Sequence, residues 1–574
     1  MGTFDFLTPS KPLNLDRPLQ IVIVGGLSAG PSAAARARRI APHAKILMFE
    51  KGNDISYATC GIPYALSGEI PSLEDLNVVS PQLLETRFGI EVRLNEAVTD
   101  IDADRRIVRT TKGEYPFDTL VYAAGATAVV PQLPGLSETQ NWSGVRTLED
   151  TRLLMNALTN PAVHQVTIMG GGLIGCEVAE NLQKKGFAVT VIEGSPELLS
   201  PWSPEFGHFA SQVLEENGVT VIRNAMVAQI DRNLTQITGV ILKDGRKIQS
   251  DYLIVSVGIR PNTGLLKDKG AGCLPNGALI VTDKMETSLP GIYAAGDCAS
   301  VQDQLTGKST YFPMGTHSNK GGRTAGTNAA GGTSTYKGGY GTGIVKIFDH
   351  VFARTGFHPN VMTKDGIPFE TTLIIAPEKP GYMPHASYIW IQLYFEPITG
   401  KILGAEVAGT HGVDKRIDVL ATAIYAGLTV DDLSELDLAY APPFSPAKDP
   451  VIVAGHVAQN QKQHRFSAKT PAQLASLILS EDIQIIDVRT PRERQKYGGI
   501  PNAVPVLLEH LDSAQFSTEK TYVVYCQKGL RGYLATLKLK EMGLPQVANL
   551  AGGFEAWQRA GYPVASETQG GIKH

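Results

Sequence analysis

Two stretches of this chain repeat one local plan, and that repetition limits the possible folds more than any other feature. Gln20-Ile21-Val22-Ile23-Val24 is an apolar, β-branched run, which predicts a strand buried in a parallel sheet. Gly25-Gly26-Leu27-Ser28-Ala29-Gly30 follows and opens an Ala-rich helix through Ile40; the next strand, Lys45–Phe49, ends in Glu50. The plan returns about 145 positions later: Gln165–Met169, then Gly170-Gly171-Gly172-Leu173-Ile174-Gly175, a helix, and Ala188–Ile192 ending in Glu193. Glycines let the backbone approach a pyrophosphate at a helix N-terminus, and the acid closing the second strand accepts a ribose hydroxyl. Leu27 interrupts strict G-x-G-x-x-G spacing in the first loop; the second loop is complete. Two such units predict two Rossmann-like domains and two dinucleotides. Glu193 suits the free 2′-hydroxyl of NADH and repels a 2′-phosphate, and no arginine directly follows it, so NADH is favoured over NADPH.

At 574 residues the chain exceeds one core, and roughly three to five domains are expected. A net charge of −4 gives no reason to expect nucleic acid. No run approaches a membrane span, and residues 1–17 lack the apolar length of a signal peptide. Five cysteines, Cys60, Cys176, Cys273, Cys298 and Cys526, are odd in number and scattered, which reads as reduced thiols rather than a disulfide framework. A cytoplasmic location is therefore expected, and no metal site.

In Ser56-Tyr57-Ala58-Thr59-Cys60-Gly61-Ile62-Pro63-Tyr64 the cysteine has no neighbour for a local disulfide. Pro63 suits a first helical turn, which sets Cys60 at a helix N-terminus, where the macrodipole favours a thiolate. On this stretch alone a small buried hydrophobe remains the alternative. Two later stretches add context. Leu120–Ala126 is a strand running into a turn at Gly125, and Gly291-Ile292-Tyr293-Ala294-Ala295-Gly296-Asp297 is another, ending in an acid.

Together these four motifs resemble the two-dinucleotide flavoprotein disulfide reductases, from residue 20 to about 455. The resemblance implies that FAD and NADH bind the two units and that Asp297 holds the FAD ribityl chain. Gly25, Gly26, Ala29, Gly30, Glu50, Gly125, Gly170, Gly172, Gly175, Glu193 and Gly258 are the other cofactor-binding positions it implies. Where glutathione-reductase-like members carry two cysteines, this chain has Cys60 alone. Ser56-x-x-x-Cys60-Gly61-x-Pro63-Tyr64 resembles the coenzyme A-disulfide reductases and NADH-dependent persulfide reductases, which pair one redox cysteine with an external thiol. Related NADH oxidases and peroxidases use the same single cysteine through a sulfenic acid, which is the alternative reading.

Arg36 and Arg39 share one helix face, and their guanidinium forks suit the phosphates of coenzyme A; a solvated face is equally compatible with the charges. The resemblance assigns Ser32, Arg36, Arg39, Ser56, Thr59 and Lys448 to substrate, with Thr59 standing where the group usually has asparagine. It matches Tyr440, and with less agreement around it Tyr382, to the tyrosines that replace a His-Glu acid-base pair, in a C-terminal dimerisation domain; an interface ring is the other reading of either tyrosine.

Residues 456–470 are polar and Gln-rich and read as a linker. Beyond them, Ile483–Arg489, Tyr522–Tyr525, Cys526-Gln527-Lys528-Gly529-Leu530-Arg531 and Leu550–Trp557 resemble a single-domain rhodanese. There Cys-x-x-Gly-x-Arg forms a cradle of N–H groups around a thiolate or persulfide, with Cys526 and Arg531 as working residues. An inactive rhodanese kept for binding is the alternative, although such domains usually lack the cysteine.

The expected fold is α/β: an FAD domain over 18–145 and 256–335, an NAD domain over 146–255, an α+β dimerisation domain over 336–455, the linker, and a rhodanese domain over 471–566. The expected activity is NADH-dependent reduction of coenzyme A persulfide, polysulfide or disulfide by a homodimer, coenzyme A being substrate or co-substrate. Fusion to a rhodanese favours the persulfide or polysulfide.

Overall fold

A computed structural model describes residues 17–478 and 483–566. They fall into two compact units: residues up to Ile192 with Met226–Tyr340, and Glu193–Ala225 with residues from Gly341 onward.

The first unit holds two parallel sheets. In the first, the strands run Ile292–Ala294, Thr119–Tyr122, Gln20–Val24, Lys45–Phe49, Ile90–Arg93. Ile21, Val22 and Ile23 are buried, as a strand covered on both faces requires. Helix Ala29–Ile40 lies on this sheet against helix Gly315–Ala329. The two helices meet at backbone contact: a Cβ on Gly326 would sit 2.2 Å from the carbonyl oxygen of Ala33. In the second sheet Ala188–Ile192, Gln165–Met169, Tyr252–Val255 and Trp142–Ser143 follow one another. Trp142–Ser143 thus joins this sheet ahead of the expected boundary at 146. The fingerprint strands begin and end where the sequence places them.

The second unit contains a five-stranded antiparallel sheet in the order Gly343–Ile347, His350–Gly356, Ile402–Gly409, Tyr388–Phe395, Glu370–Pro377. Its last sheet is parallel: Ser467–Lys469, Val547–Leu550, Thr521–Tyr525, Ile483–Asp487, Val504–Pro505. The stretch read as a linker needs correcting, because helix Pro450–Lys462 runs through its first half and a strand begins at Ser467. Val451, Ala454 and Ala458, spaced i, i+3, i+7, bury one face of that helix, and half-buried Gln459 and Gln461 donate from it to Asp431 and the Thr371 carbonyl. No helix among the described residues is long and apolar enough to cross a membrane.

Candidate active sites

Both fingerprint loops are built by steric necessity. Gly25 and Gly170 have φ +101° and +102°, and a Cβ on either would lie 2.2 Å from a carbonyl oxygen of the neighbouring strand's end, Ala123 or Ser256. Gly30 and Gly175 sit so close to their own loops that a Cβ would meet the Gly25 and Gly170 oxygens at 1.9 and 2.0 Å. Neither helix that follows has a side-chain cap: Ser28 and Gly172 occupy the N-cap positions without one. Elsewhere in this chain Thr147, Thr429, Thr470 and Thr490 close capping boxes. Uncapped N–H groups at a glycine turn are free to bind an anion. No atom lies within 4 Å of where a Cβ would stand on Gly125, Gly172 or Gly258. These open glycines and uncapped helix ends fit two dinucleotides, one per loop.

Glu50 accepts from the amides of Gly26 and Gly52, both at 2.9 Å, which fixes its carboxylate at the loop mouth. A Cβ on Gly296, just ahead of Asp297, would stand 3.1 Å from the Ala29 Cβ. Asp297 receives the Arg146 guanidinium at 2.5 Å, and both side chains are largely buried. Glu193 follows the second-fingerprint strand and accepts from Ser195 N at 2.7 Å.

Cys60 is exposed in the single turn Thr59–Gly61, directly ahead of helix Ile62–Ser67 with Pro63 in its first turn. The cysteine segment is tied to the first fingerprint, since Ser56 N donates to Gly26 O at 2.8 Å. Ser56 is buried and adopts φ +47°, a conformation non-glycine residues rarely take and one that concentrates at functional sites. Burial pushes Tyr57 beside it up to about 12, with Glu50 and Asp54 adding to the rise. The two buried thiols of this unit contrast with Cys60: Cys298 is pushed up to about 12 by burial, and Cys176 is wholly enclosed.

On helix Ala29–Ile40, Ser32 Oγ donates to Asn319 at 2.6 Å and Arg36 Nε to Thr327 at 3.0 Å; the Arg39 guanidinium lies 5.9 Å from the Phe88 ring centre. Asn319, Thr327 and exposed Arg323 border the predicted substrate face from a helix the sequence reading did not connect with it. It also missed the pairing beneath Cys60, where Tyr64 OH donates to Glu177 Oε1 at 3.1 Å. Burial pushes the Glu177 carboxyl up to about 7, against that hydrogen bond and helped by Glu180.

Tyr382, Tyr440 and Lys448 belong to the second unit and are all exposed. Beside Lys448, buried Asp449 holds buried Arg416 and accepts from Ser445.

Cys526 ends strand Thr521–Tyr525, is 2% exposed, and accepts from Gly529 N at 3.1 Å. Gly529, φ +111°, turns the loop into helix Leu530–Glu541 without a side-chain cap. Arg531 lies beside the thiol and makes a two-pronged ion pair with Glu493, which holds that carboxyl down at about 2. Beneath the loop, Arg489 and Asp487 pair in full burial, and Arg489 also donates to Gln527 at 3.1 Å.

Residues 19–319 match the pyridine nucleotide-disulphide oxidoreductase profile, 343–450 its dimerisation domain, and 470–560 a rhodanese-like domain. A Pyrococcus horikoshii protein named NAD(P)H coenzyme A polysulfide/persulfide reductase is 33% identical over 448 residues, 76% of this chain and 98% of that one. The crystal structure of reduced Bacillus anthracis CoADR-RHD superposes with a TM-score of 0.90 at 34% identity, covering 95% of this chain and 99% of that one. A NAD-dependent persulfide reductase from A. fulgidus gives 0.87 at 32% identity, over 94% and 100%. The chain belongs to the pyridine nucleotide-disulphide oxidoreductase family, carrying in addition that family's dimerisation domain and a rhodanese-like domain.

Proposed function

We propose that this protein is an NADH-dependent reductase of coenzyme A persulfide or polysulfide, and of coenzyme A disulfide, whose rhodanese-like domain carries sulfane sulfur on Cys526. The observation that carries the reading is Cys60: one exposed thiol in a turn hydrogen-bonded to the first fingerprint loop, in a chain whose five cysteines are all free.

FAD at the first fingerprint and NADH at the second supply the two-electron chemistry. The residues do the rest. Ser32, Arg36, Arg39, Ser56, Thr59 and Lys448 bind coenzyme A, the arginines facing its phosphates. The Cys60 thiolate attacks the coenzyme A-bound sulfur of a persulfide; the S–S bond breaks, hydrosulfide leaves, and Cys60 is held in a mixed disulfide with coenzyme A. With the disulfide as substrate, a coenzyme A thiolate leaves instead. Tyr440, from the partner in a homodimer, protonates the departing thiolate, and Tyr382 assists. The dimerisation domain and the exposure of Tyr382, Tyr440 and Phe444 support that assembly. Glu193 selects NADH. A reducing, cytoplasmic setting accords with the free thiols.

Anaerobic NADH consumption with coenzyme A persulfide, coenzyme A disulfide and peroxide tests the reading on wild type, Cys60→Ser and Cys526→Ser. Persulfide turnover is expected to vanish in Cys60→Ser and to fall less in Cys526→Ser. Peroxide as the best substrate, with Cys526→Ser silent, would assign an oxidase or peroxidase instead.

A further inference from the structure

The rhodanese loop contains two cations, and each is already committed. Arg531 is clamped by Glu493 through both carboxylate oxygens, at 2.9 and 2.5 Å. Lys528 Nζ sits 3.3 Å from Glu555 Oε2 and 3.7 Å from the centre of the Tyr388 ring. The third cation at the cradle, Arg489, is matched by Asp487. Each of these three cations is therefore matched by a carboxylate. Arg531, paired as it is, still contacts the Cys526 thiol; beyond that contact, negative charge there is favoured by the loop's N–H groups and the uncapped end of helix Leu530–Glu541, worth about half an elementary charge. At the mouth of the loop stands Leu530, 70% exposed, with Leu534 one turn along at 45%.

We propose that Glu493 and Glu555 make the Cys526 site selective for an organic persulfide with an apolar arm, and against the inorganic dianion thiosulfate. This rests on reading Cys526 as a sulfur carrier. In the favoured step the Cys526 thiolate attacks the outer sulfur of R–S–SH; the donor's S–S bond breaks, R–S⁻ leaves with the electron pair, and Cys526–S–SH forms. The donor enters neutral, the thiolate's single negative charge departs on R–S⁻, and no oxidant is consumed. With thiosulfate the same displacement gathers three negative charges in the cradle and expels sulfite, and Arg531, Lys528 and Arg489 each already face a carboxylate. Leu530 and Leu534 offer apolar surface to the organic arm and nothing to an inorganic anion.

The test uses the full-length flavoenzyme carrying Cys60→Ser, without NADH, so that only Cys526 is loaded. Intact-protein mass spectrometry follows the addition of one sulfur from an alkyl persulfide or from thiosulfate. The alkyl persulfide is expected to load at least about tenfold faster. Glu493→Gln and Glu555→Gln each free a cation and are expected to speed thiosulfate loading by about tenfold while leaving alkyl persulfide loading within about twofold. Glu493→Gln keeps its helix cap, because Gln473 closes the same capping box in helix Pro471–Leu477. Equal loading by both donors, or a donor ratio unmoved by either substitution, overturns the proposal. If neither donor loads Cys526, the proposal and the sulfur-carrier reading fall together, while the Cys60 reductase reading, which is measured by NADH consumption, is untouched.

Discussion

Replacing Glu177 with glutamine removes a carboxyl that burial holds near neutrality beneath the Cys60 helix. In the fold this group titrates at about 7, against 4.5 for the ordinary side chain. Between those values the folded chain holds more proton than the unfolded one, so stability falls as pH rises through that window. A rise of about 2.5 units amounts to about 3 kcal/mol, absent below about pH 4.5 and fully imposed above about pH 7. Glutamine does not titrate, yet its amide oxygen can still accept from Tyr64. Glu177→Gln should therefore match wild type near pH 4 and melt several degrees higher at pH 8. The release of flavin fluorescence on heating reports unfolding of the unit that contains Glu177. Tyr64→Phe should act in the opposite sense, because it removes a hydrogen bond that favours the carboxylate. A difference between Glu177→Gln and wild type that stays constant from pH 5 to 8 would refute the reasoning, since a lost contact without titration has no pH slope.

Two glycines of the second fingerprint should separate binding from folding. Gly172→Ala meets no atom and keeps an ordinary φ of −77°, so melting should be unchanged while KM for NADH rises at least about tenfold, the methyl occupying the pyrophosphate's place. Gly175→Ala drives a Cβ to 2.0 Å from Gly170 O and should cost about 3 kcal/mol or more, seen as a lowered melting temperature. Asp487→Ala strands the fully buried Arg489 and takes an acceptor from Tyr525, and should destabilise the rhodanese domain by about 3–5 kcal/mol in urea titrations followed at Cys526 loading. Asp449→Ala strands Arg416 likewise and should produce a loss of the same order in the dimerisation domain.

The sequence reveals elements whose cause is local. β-Branched runs mark the fingerprint strands to the residue, and the glycines after them are demanded by backbone contacts a few residues away. The helix over Pro450–Lys462 was legible too, through Val451, Ala454 and Ala458, but its glutamines masked the period. What stayed hidden depends on partners far along the chain: Tyr64 and Glu177 are 113 positions apart, Ser32 and Asn319 287, Arg531 and Glu493 38. No window of residues contains both members of such a pair. The hidden pairs are also the ones that set charge. Arg531 read alone is a cation offered to an anionic donor; with Glu493 it is a neutral pair. Arg36, evenly balanced in sequence between phosphate ligand and solvated face, donates through Nε to Thr327, a partner 291 positions away that the sequence does not reveal. Family membership can therefore be read from short motifs, whereas the charge balance around Cys526 and beneath the Cys60 helix is set by long-range pairs that only folding brings together.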